Sequence, residues 1–443
     1  MKIRGLLIAA VIFAVLAGVL YWSDHRKSSA EAAKPNGDSA PAILKLDENS
    51  ISKLELKRKD APAILLAKNG SEWKINEPKS FAADQSAVSG IVSSVASLNS
   101  ERLVDDKSSD LQRYGLSQPS FELDVTEKDN KSQRLLLGDD TPAGSAVYAA
   151  LAGDPRVFTI AGYTRSSLEK GLNDLRDKRL VTVNADKISR VEIAGKNGDI
   201  EFGRNKDEWQ ILKPKPMRAD NDAVSELVRK LTDARMDITD SAATAKEAGS
   251  AFGRGAPVAT ISVTGESSTQ KLQIRKSKES YYAQSSVIDE AYKIGSDLAA
   301  AVDKKVEDFR NKKLFDFGYA DPNKLDIHSG SKTYSLMRGG QDWWDNGKKI
   351  DEASMQSLIT GLRNLSADKF VDSGFGSPQI EATVTSNDGK RIEKVLISKF
   401  GSDYLAKRDN DSTLYQLPAA SVDELQKSIE AIKAEAPAGK PSR

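Results

Sequence analysis

Three aspartates, Asp84, Asp220 and Asp351, each follow a tryptophan and immediately precede an apolar helical stripe, a position suited either to acid–base work or to capping a helix. Hydrolysis of a glycosidic bond needs two carboxyls facing that bond, and no second acid recurs near any of the three. An Asp just before a stripe accepts hydrogen bonds from free backbone N–H groups and faces the positive end of the helix dipole. Capping is therefore the predicted role. The 64 acidic residues guarantee accidental carboxylate pairs, so acid spacing alone identifies no hydrolase. Of the two histidines, His25 and His328, only His328 could serve a serine hydrolase as base. It stands beside Ile327 on the opposite face of a predicted strand. Trp73, Trp209 and Trp344 could stack on a sugar or peptide, but their place before a turn into a helix predicts a core role. Trp343 breaks that pattern, and as the outward member of the adjacent pair it is the expected contact residue. The basic runs Arg176 to Arg179 and Arg310 to Lys313 could meet lipid headgroups or an acidic loop, and they equally complement a helix C-terminus. Arg176, Arg179, Arg310 and Lys313 are the candidate partner contacts there.

Composition removes whole classes of chemistry. With no cysteine there is no disulfide, thiolate zinc site, iron–sulfur cluster, thiol nucleophile or lipid-modified cysteine. The 65 basic and 64 acidic residues leave a net charge of +1, which offers no general attraction to a nucleic acid. No P-loop is present, and Gly374-Phe375-Gly376 lacks the third glycine of a dinucleotide fingerprint. Neither a cofactor, a metal, a nucleotide nor a nucleic acid is expected.

The elements that position these residues occur in triplicate. Trp73-Lys74-Ile75-Asn76-Glu77-Pro78 is echoed 136 residues later by Trp209-Gln210-Ile211-Leu212-Lys213-Pro214, and Asp84 and Asp220 follow their Trp by 11 positions. In the third copy Trp344 precedes Asp351 by 7, and the proline is missing. After each Asp, apolar steps of three, four and seven predict one amphipathic helix: Val88, Ile91, Val92, Val95, Leu98; then Val224, Leu227, Val228, Leu231; then Met355, Leu358, Ile359, Leu362, Leu365. Period-two segments such as Leu54-Glu55-Leu56 and Ile64-Leu65-Leu66 predict antiparallel hairpins before each Trp, and four more strands follow each helix. Closing helices are clearest at 166–178 and 421–434. The expected fold is α+β: three tandem antiparallel sheet-plus-helix units of pattern β-β-β-α-β-β-β-β-α, behind an N-terminal transmembrane helix. The boundaries read as stub and anchor 1–22, tether 23–43, units 44–180, 181–313 and 314–434, and tail 435–443. The joints Leu175 to Leu180 and Phe309 to Leu314 carry no flexible linker, which predicts fixed packing of neighbours in a rod or arc.

Gly5 to Trp22 is 18 residues without a charge, near the lower limit of a bilayer span. Lys2 and Arg4 precede it, and Tyr21 and Trp22 close it with rings suited to the membrane interface. The expectation is a single-pass anchor in the inner membrane, with the bulk of the chain periplasmic or otherwise extracytoplasmic. A cleaved signal peptide is the rival, with a small-x-small candidate at Ala30-Glu31-Ala32.

The anchor, the W-x-I-x-x-P turn with its following Asp and helix, the run Tyr114-Gly115-Leu116-Ser117-Gln118-Pro119 and the Leu-Arg-Asp-Lys joint together resemble the bacterial domain-of-unknown-function 4340 family, over about residues 44 to 434. The second copy carries Phe252-Gly253-Arg254-Gly255-Ala256-Pro257 in place of that run, and the third Phe375-Gly376-Ser377-Pro378. The resemblance implies a membrane-anchored envelope protein associated with ABC-transporter components of the gliding-motility type, and it carries over no catalytic residue. The expected function is therefore a non-enzymatic tandem-repeat accessory or scaffold protein. The alternative is an envelope glycan- or peptide-binding protein, or a hydrolase using carboxylates in an inter-domain cleft.

Overall fold

Alternation of apolar and polar residues sends every second side chain to one face, and the chain builds three antiparallel sheets from such strands. The computed structural model describes residues 41–238, 242–288, 290–409 and 411–435. The first sheet holds β1 (Ile51–Arg58), β2 (Ala61–Asn69), β3 (Glu72–Glu77), β4 (Phe81–Ala82), β5 (Arg102–Asp105), β6 (Phe121–Glu127), β7 (Ser132–Asp140), β8 (Ala146–Leu151) and β9 (Val157–Ala161). Its order is β4-β3-β2-β1-β6-β7-β8-β9-β5. Among the described residues the second sheet, from Arg190–Gly195 to Tyr292–Ile294, has eight strands, with a single bridge from Asp237 to Lys293 at the place of β5; the third, from Lys324–Ser329 to Leu414–Leu417, has nine and repeats the first. This is an α+β architecture of three repeat-like sheets. The chain divides into two compact units, Met1–Lys178 with Ile238–Ala242 and Arg179–Asp237 with Ala243–Arg443, so the second and third sheets share one unit.

Helix α1 (Gln85–Ala96) lays Val88, Ile91, Val92 and Val95 on the inner face of the first sheet, against Leu54, Leu66, Ile75, Leu123 and Phe158. The corresponding helices, Asn221–Asp233 and Glu352–Asn364, bury the equivalent stripes. The opposite face is polar near β1 and β6, where Lys57 Nζ and Arg134 Nε reach Asp124 at 3.2 and 2.7 Å. Its far half is covered. A 3₁₀ turn at Leu111–Tyr114 plants Tyr114 and Leu116 on Ala150 and Val157 as a second small core, with the Tyr114 and Tyr148 rings 5.0 Å apart. The Tyr114 to Pro119 run is thus a structural device.

The anchor expected at Gly5 to Trp22, with Lys2, Arg4, Tyr21 and Trp22, lies outside the described residues, and among the described residues no helix is long and apolar enough to cross a membrane. Other expectations need correction. The tether was expected to reach residue 43, but Pro41 O accepts from Ser100 Oγ at 2.8 Å, Ile43 N donates to Leu98 O at 2.8 Å, and Ile43 is buried. The tail was expected from 435, yet Glu435 N donates to Lys349 O at 2.9 Å. The helix expected over 166–178 is two short ones, α2 (Gly162–Leu168) and α3 (Leu172–Leu175), because Gly171 interrupts it and its N–H is capped by Asp174 at 2.9 Å. The closing helix expected over 421–434 spans Ala419–Glu430. A helix at Ala242–Arg254 was not foreseen; it buries Ala248 and Phe252.

Two glycines test the packing in opposite senses. A Cβ on Gly138 would stand 2.1 Å from Tyr114 O, whereas one on Gly90, within α1, would meet nothing within 4 Å. Gly138→Ala is expected to destabilise by about 1–3 kcal/mol, and Gly90→Ala to stabilise by about 0.5–1 kcal/mol. Chemical denaturation followed by circular dichroism measures both, and equal effects would contradict the packing described.

Candidate functional site

Each of the three aspartates begins a helix. Asp84 Oδ1 accepts from Ser86 N and Ala87 N at 3.0 and 3.1 Å; Asp220 Oδ1 accepts from Asp222 N and Ala223 N, both at 3.0 Å; Asp351 Oδ1 accepts from Ser354 N at 2.9 Å. The residue after the cap does something the sequence reading missed. Gln85 accepts from Trp73 N at 2.8 Å and donates to Trp73 O at 2.9 Å, and Asn221 accepts from Trp209 N at 2.6 Å. Both amides stand 12 residues after their Trp, a spacing visible in the sequence.

The tryptophans settle the register of the third copy. Trp73 pairs across from Lys68, Trp209 from Arg204 and Trp343 from Arg338. Trp343 is therefore the core residue, only 4% exposed, and Trp344 is the outward one at 39%. The expectation had them reversed, because the strand alternation places the second residue of Asp342–Asp345 inward, as in Glu72–Glu77 and Glu208–Lys213.

The basic joints begin at helix ends, Arg176 capping Leu172–Leu175 and Arg310 the 3₁₀ turn Val306–Phe309, and run on as extended backbone. Arg176 bridges Ala83, Arg179 bridges Arg235, Arg310 bridges Ala219 and Lys313 bridges Ser366. Arg176 is buried with its guanidinium 3.7 Å from the Phe81 ring centre, and Arg310 lies 3.5 Å over Phe370. Stacking on an aromatic face suits the weakly hydrated guanidinium. Burial lowers the pKa of Arg310. Arg179 and Lys313 have exposed side chains.

At the second joint the structure assembles charges that lie far apart in sequence. Arg218 donates to Lys313 O at 2.8 Å, to Tyr415 Oη at 3.1 Å and to Asp316, whose other oxygen accepts from Asn311 at 3.0 Å. Asp316 N donates to both oxygens of Glu393 at 3.0 Å, and Arg408 reaches Glu393 at 3.0 Å. Arg391 ties Glu208 to Asp316 O, the latter at 2.7 Å. Burial works against the Arg218 cation, but Asp316 and Tyr415 hold its pKa above the ordinary value. Burial likewise pushes Tyr415 up, to about 12. Burial would raise Asp411, yet bonds from Thr413 N and Tyr415 Oη keep it below the usual carboxylate range.

A cavity of about 370 Å³ opens beside this network, lined by residues of the second and third repeats, among them Gln210, Asp222, Lys313, Tyr319, Asn364 and Arg391. Its floor is a saturated set of ion pairs and hydrogen bonds, an arrangement that fixes geometry and offers a polar wall for binding. His328 is exposed elsewhere, with Nδ1 3.0 Å from Thr333 Oγ1. Among the described residues no group of three or more His, Asp or Glu is placed to hold a metal.

The third sheet differs from the others on its outer face. Trp344, Met337, Lys324, Thr385 and Ile392 stand in one cross-strand row. The corresponding row is Gln210, Gly203, Arg190, Thr264 and Thr269 in the second sheet, and Lys74, Ala67, Lys53, Thr126 and Ser132 in the first. Met337 and Ile392 are 58% and 67% exposed.

The family model described as Domain of unknown function (DUF4340) matches residues 73–216 and 209–383. No curated protein matches the chain. Two crystal structures of the DNA polymerase sliding clamp from Pseudomonas aeruginosa, one with ligand, align at 9% identity over 85% of this chain and 93% of that chain, with a TM-score of 0.15. A likeness so slight says nothing of fold or function.

Two outcomes follow from this geometry. Trp343→Ala should cost about 3–5 kcal/mol and Trp344→Ala roughly 0.5 kcal/mol, measured by denaturant titration; the reverse ranking would contradict the register. Because the Tyr415 pKa is raised, its contribution is intact below the ordinary phenol value of about 10 and is lost as pH rises through about 12. The wild type should lose on the order of 2 kcal/mol over that interval relative to Tyr415→Phe. Stability measured against pH tests this, alongside an ultraviolet phenolate titration, and a late phenolate step surviving in the variant would refute the assignment.

Proposed function

From the premise that this chain belongs to the family described as domain of unknown function DUF4340, we propose that it is a non-enzymatic, membrane-anchored envelope protein whose repeats hold another protein. The anchor at Gly5 to Trp22 keeps it in the inner membrane as a single-pass protein with the bulk of the chain outside the cytoplasm. Its partner is a component of an ABC-type, gliding-motility-like transport assembly, the association that the family resemblance implies.

The observation that carries the protein-binding reading is the outward apolar pair Trp344 and Met337, with Ile392 beyond Lys324 and Thr385 in the same cross-strand row, a row that holds no large apolar residue in the other two sheets. Clustered exposed apolar side chains on an otherwise polar face mark contact sites, with tryptophan and methionine enriched at the centre of such interfaces. The flanking charges favour protein over lipid. Lys324 pairs with Asp326 at 2.8 Å and Lys394 with Glu381 at 3.1 Å, so the rim is balanced, whereas an anionic membrane surface selects unpaired cations. The repeated polar residues support the same reading. Asp84, Asp220 and Asp351 are occupied as caps, and Arg176 and Arg310 by stacking on Phe81 and Phe370.

The test is crosslinking in intact cells followed by gentle solubilisation and mass spectrometry, using the full chain. Residues 44 to 434 without the anchor serve as control. Stoichiometric recovery of ABC-type transporter subunits with the anchored chain is expected, falling at least tenfold in a Met337→Lys, Trp344→Lys variant of unchanged circular dichroism. Recovery of no such subunit, or recovery indifferent to those substitutions, would overturn the proposal.

A further inference from the structure

We propose that the cavity between the second and third repeats binds a neutral saccharide. Its volume of about 370 Å³ falls within the roughly 300–1,000 Å³ of small-molecule sites. Two kinds of polar group line it. Arg218, Asp316 and Arg391 are committed to one another and to Glu208. Gln210, Asp222, Lys313, Tyr319 and Asn364 also line it, and among the described residues their side chains make no hydrogen bond or ion pair. Five exposed polar side chains lining one concavity are a ready set of donors and acceptors.

Their chemistry selects the ligand. One carboxylate and one ammonium cancel, so the free groups carry no net charge and favour neither a phosphate nor a polycation. Two amides and a phenol each both donate and accept, which matches sugar hydroxyls that do the same. Tyr319 adds a flat face. It is 98% exposed, and its loop is pinned by Arg363, whose Nε donates to Gly318 O at 2.8 Å and whose Nη2 donates to Tyr319 O at 3.3 Å and Asp321 Oδ1 at 3.1 Å. Gly318 takes the left-handed conformation, φ +67°, that the turn requires. With the loop backbone fixed, binding orders only the rotamers of the ring itself, whose apolar face can cover the C–H face of a sugar ring while its hydroxyl hydrogen-bonds. A peptide is less suited. The neighbouring Trp209 and Phe315 are buried at 5% and 2% exposure, so the cavity offers no apolar pocket for peptide side chains.

The inference does not rest on the scaffold reading, and its measurement is separate. The full chain, held in a detergent with a polyoxyethylene rather than a sugar headgroup, is titrated calorimetrically with chitotetraose, cellotetraose and maltotetraose, and with tetraalanine as the peptide probe. Saturable one-to-one binding of at least one saccharide is expected. Tyr319→Ala and Asp222→Asn should each weaken it at least tenfold without changing the melting temperature, and Tyr163→Ala, an exposed tyrosine of the first repeat, should leave it unchanged. Absence of saturable saccharide binding up to about 10 mM, binding undiminished in Tyr319→Ala, or equal affinity for tetraalanine would each overturn the proposal.

Discussion

The backbone bond from each capping aspartate to the joint that closes its repeat is the contact on which the rest depends. Asp84 N donates to Leu175 O at 2.8 Å, Asp220 N to Phe309 O at 2.8 Å and Asp351 N to Lys433 O at 3.0 Å. The same residue therefore starts the helix with its carboxylate and holds the end of the repeat with its N–H. A backbone group buried without a partner is costly, so the joint must stay extended. The chain then leaves each joint already aligned for its next pairing. Leu180 N donates to Ala234 O at 3.1 Å and Leu314 N to Leu365 O at 3.0 Å, both behind the following helix, and Leu44 N does the same to Leu98 O at 3.1 Å in the first repeat.

On that shared backbone frame the repeats have diverged in side chains. In the second repeat Thr182 N donates to Gln270 Oε1 at 2.9 Å, a neutral contact; in the third, Asp316 N donates to Glu393, and Arg218 and Arg408 are drawn in to balance the acids. Buried ion networks contribute little net stability when complete but fix one geometry, because any displacement strands a charge. This saturated network holds the second and third sheets in one compact unit, and the cavity with its unpartnered side chains lies against it. Rigid walls with free polar groups are what a binding site needs.

The outer sheet faces follow a parallel logic. Their far halves are closed by whatever lies between the helix and the next strand, Tyr114 and Leu116 in the first repeat, and in the third a turn where Gly376 N donates to Ser398 Oγ at 3.2 Å. The near halves stay open, and in the third Trp344, Met337 and Ile392 stand in a row that carries no large apolar residue in the other two. Divergence is thus concentrated where it leaves the inner cores untouched.

Much of this was legible in the residues. Period-two strands, the helical stripes after each Asp and the threefold recurrence are local properties, set by side-chain alternation and by the reach of a capping carboxylate, and they determined the α+β repeat plan and the role of Asp84, Asp220 and Asp351. What only the tertiary structure decided depends on residues far apart in the chain. Arg218 meets Tyr415 across 197 positions, and no local pattern encodes such a meeting. Which of Trp343 and Trp344 faces the core was read the wrong way round from the sequence, because a one-residue change of register exchanges the two faces of a strand and only pairing with Arg338 fixes it. The cavity and its free side chains arise where two repeats pack, so their existence is a property of that packing and of no single segment.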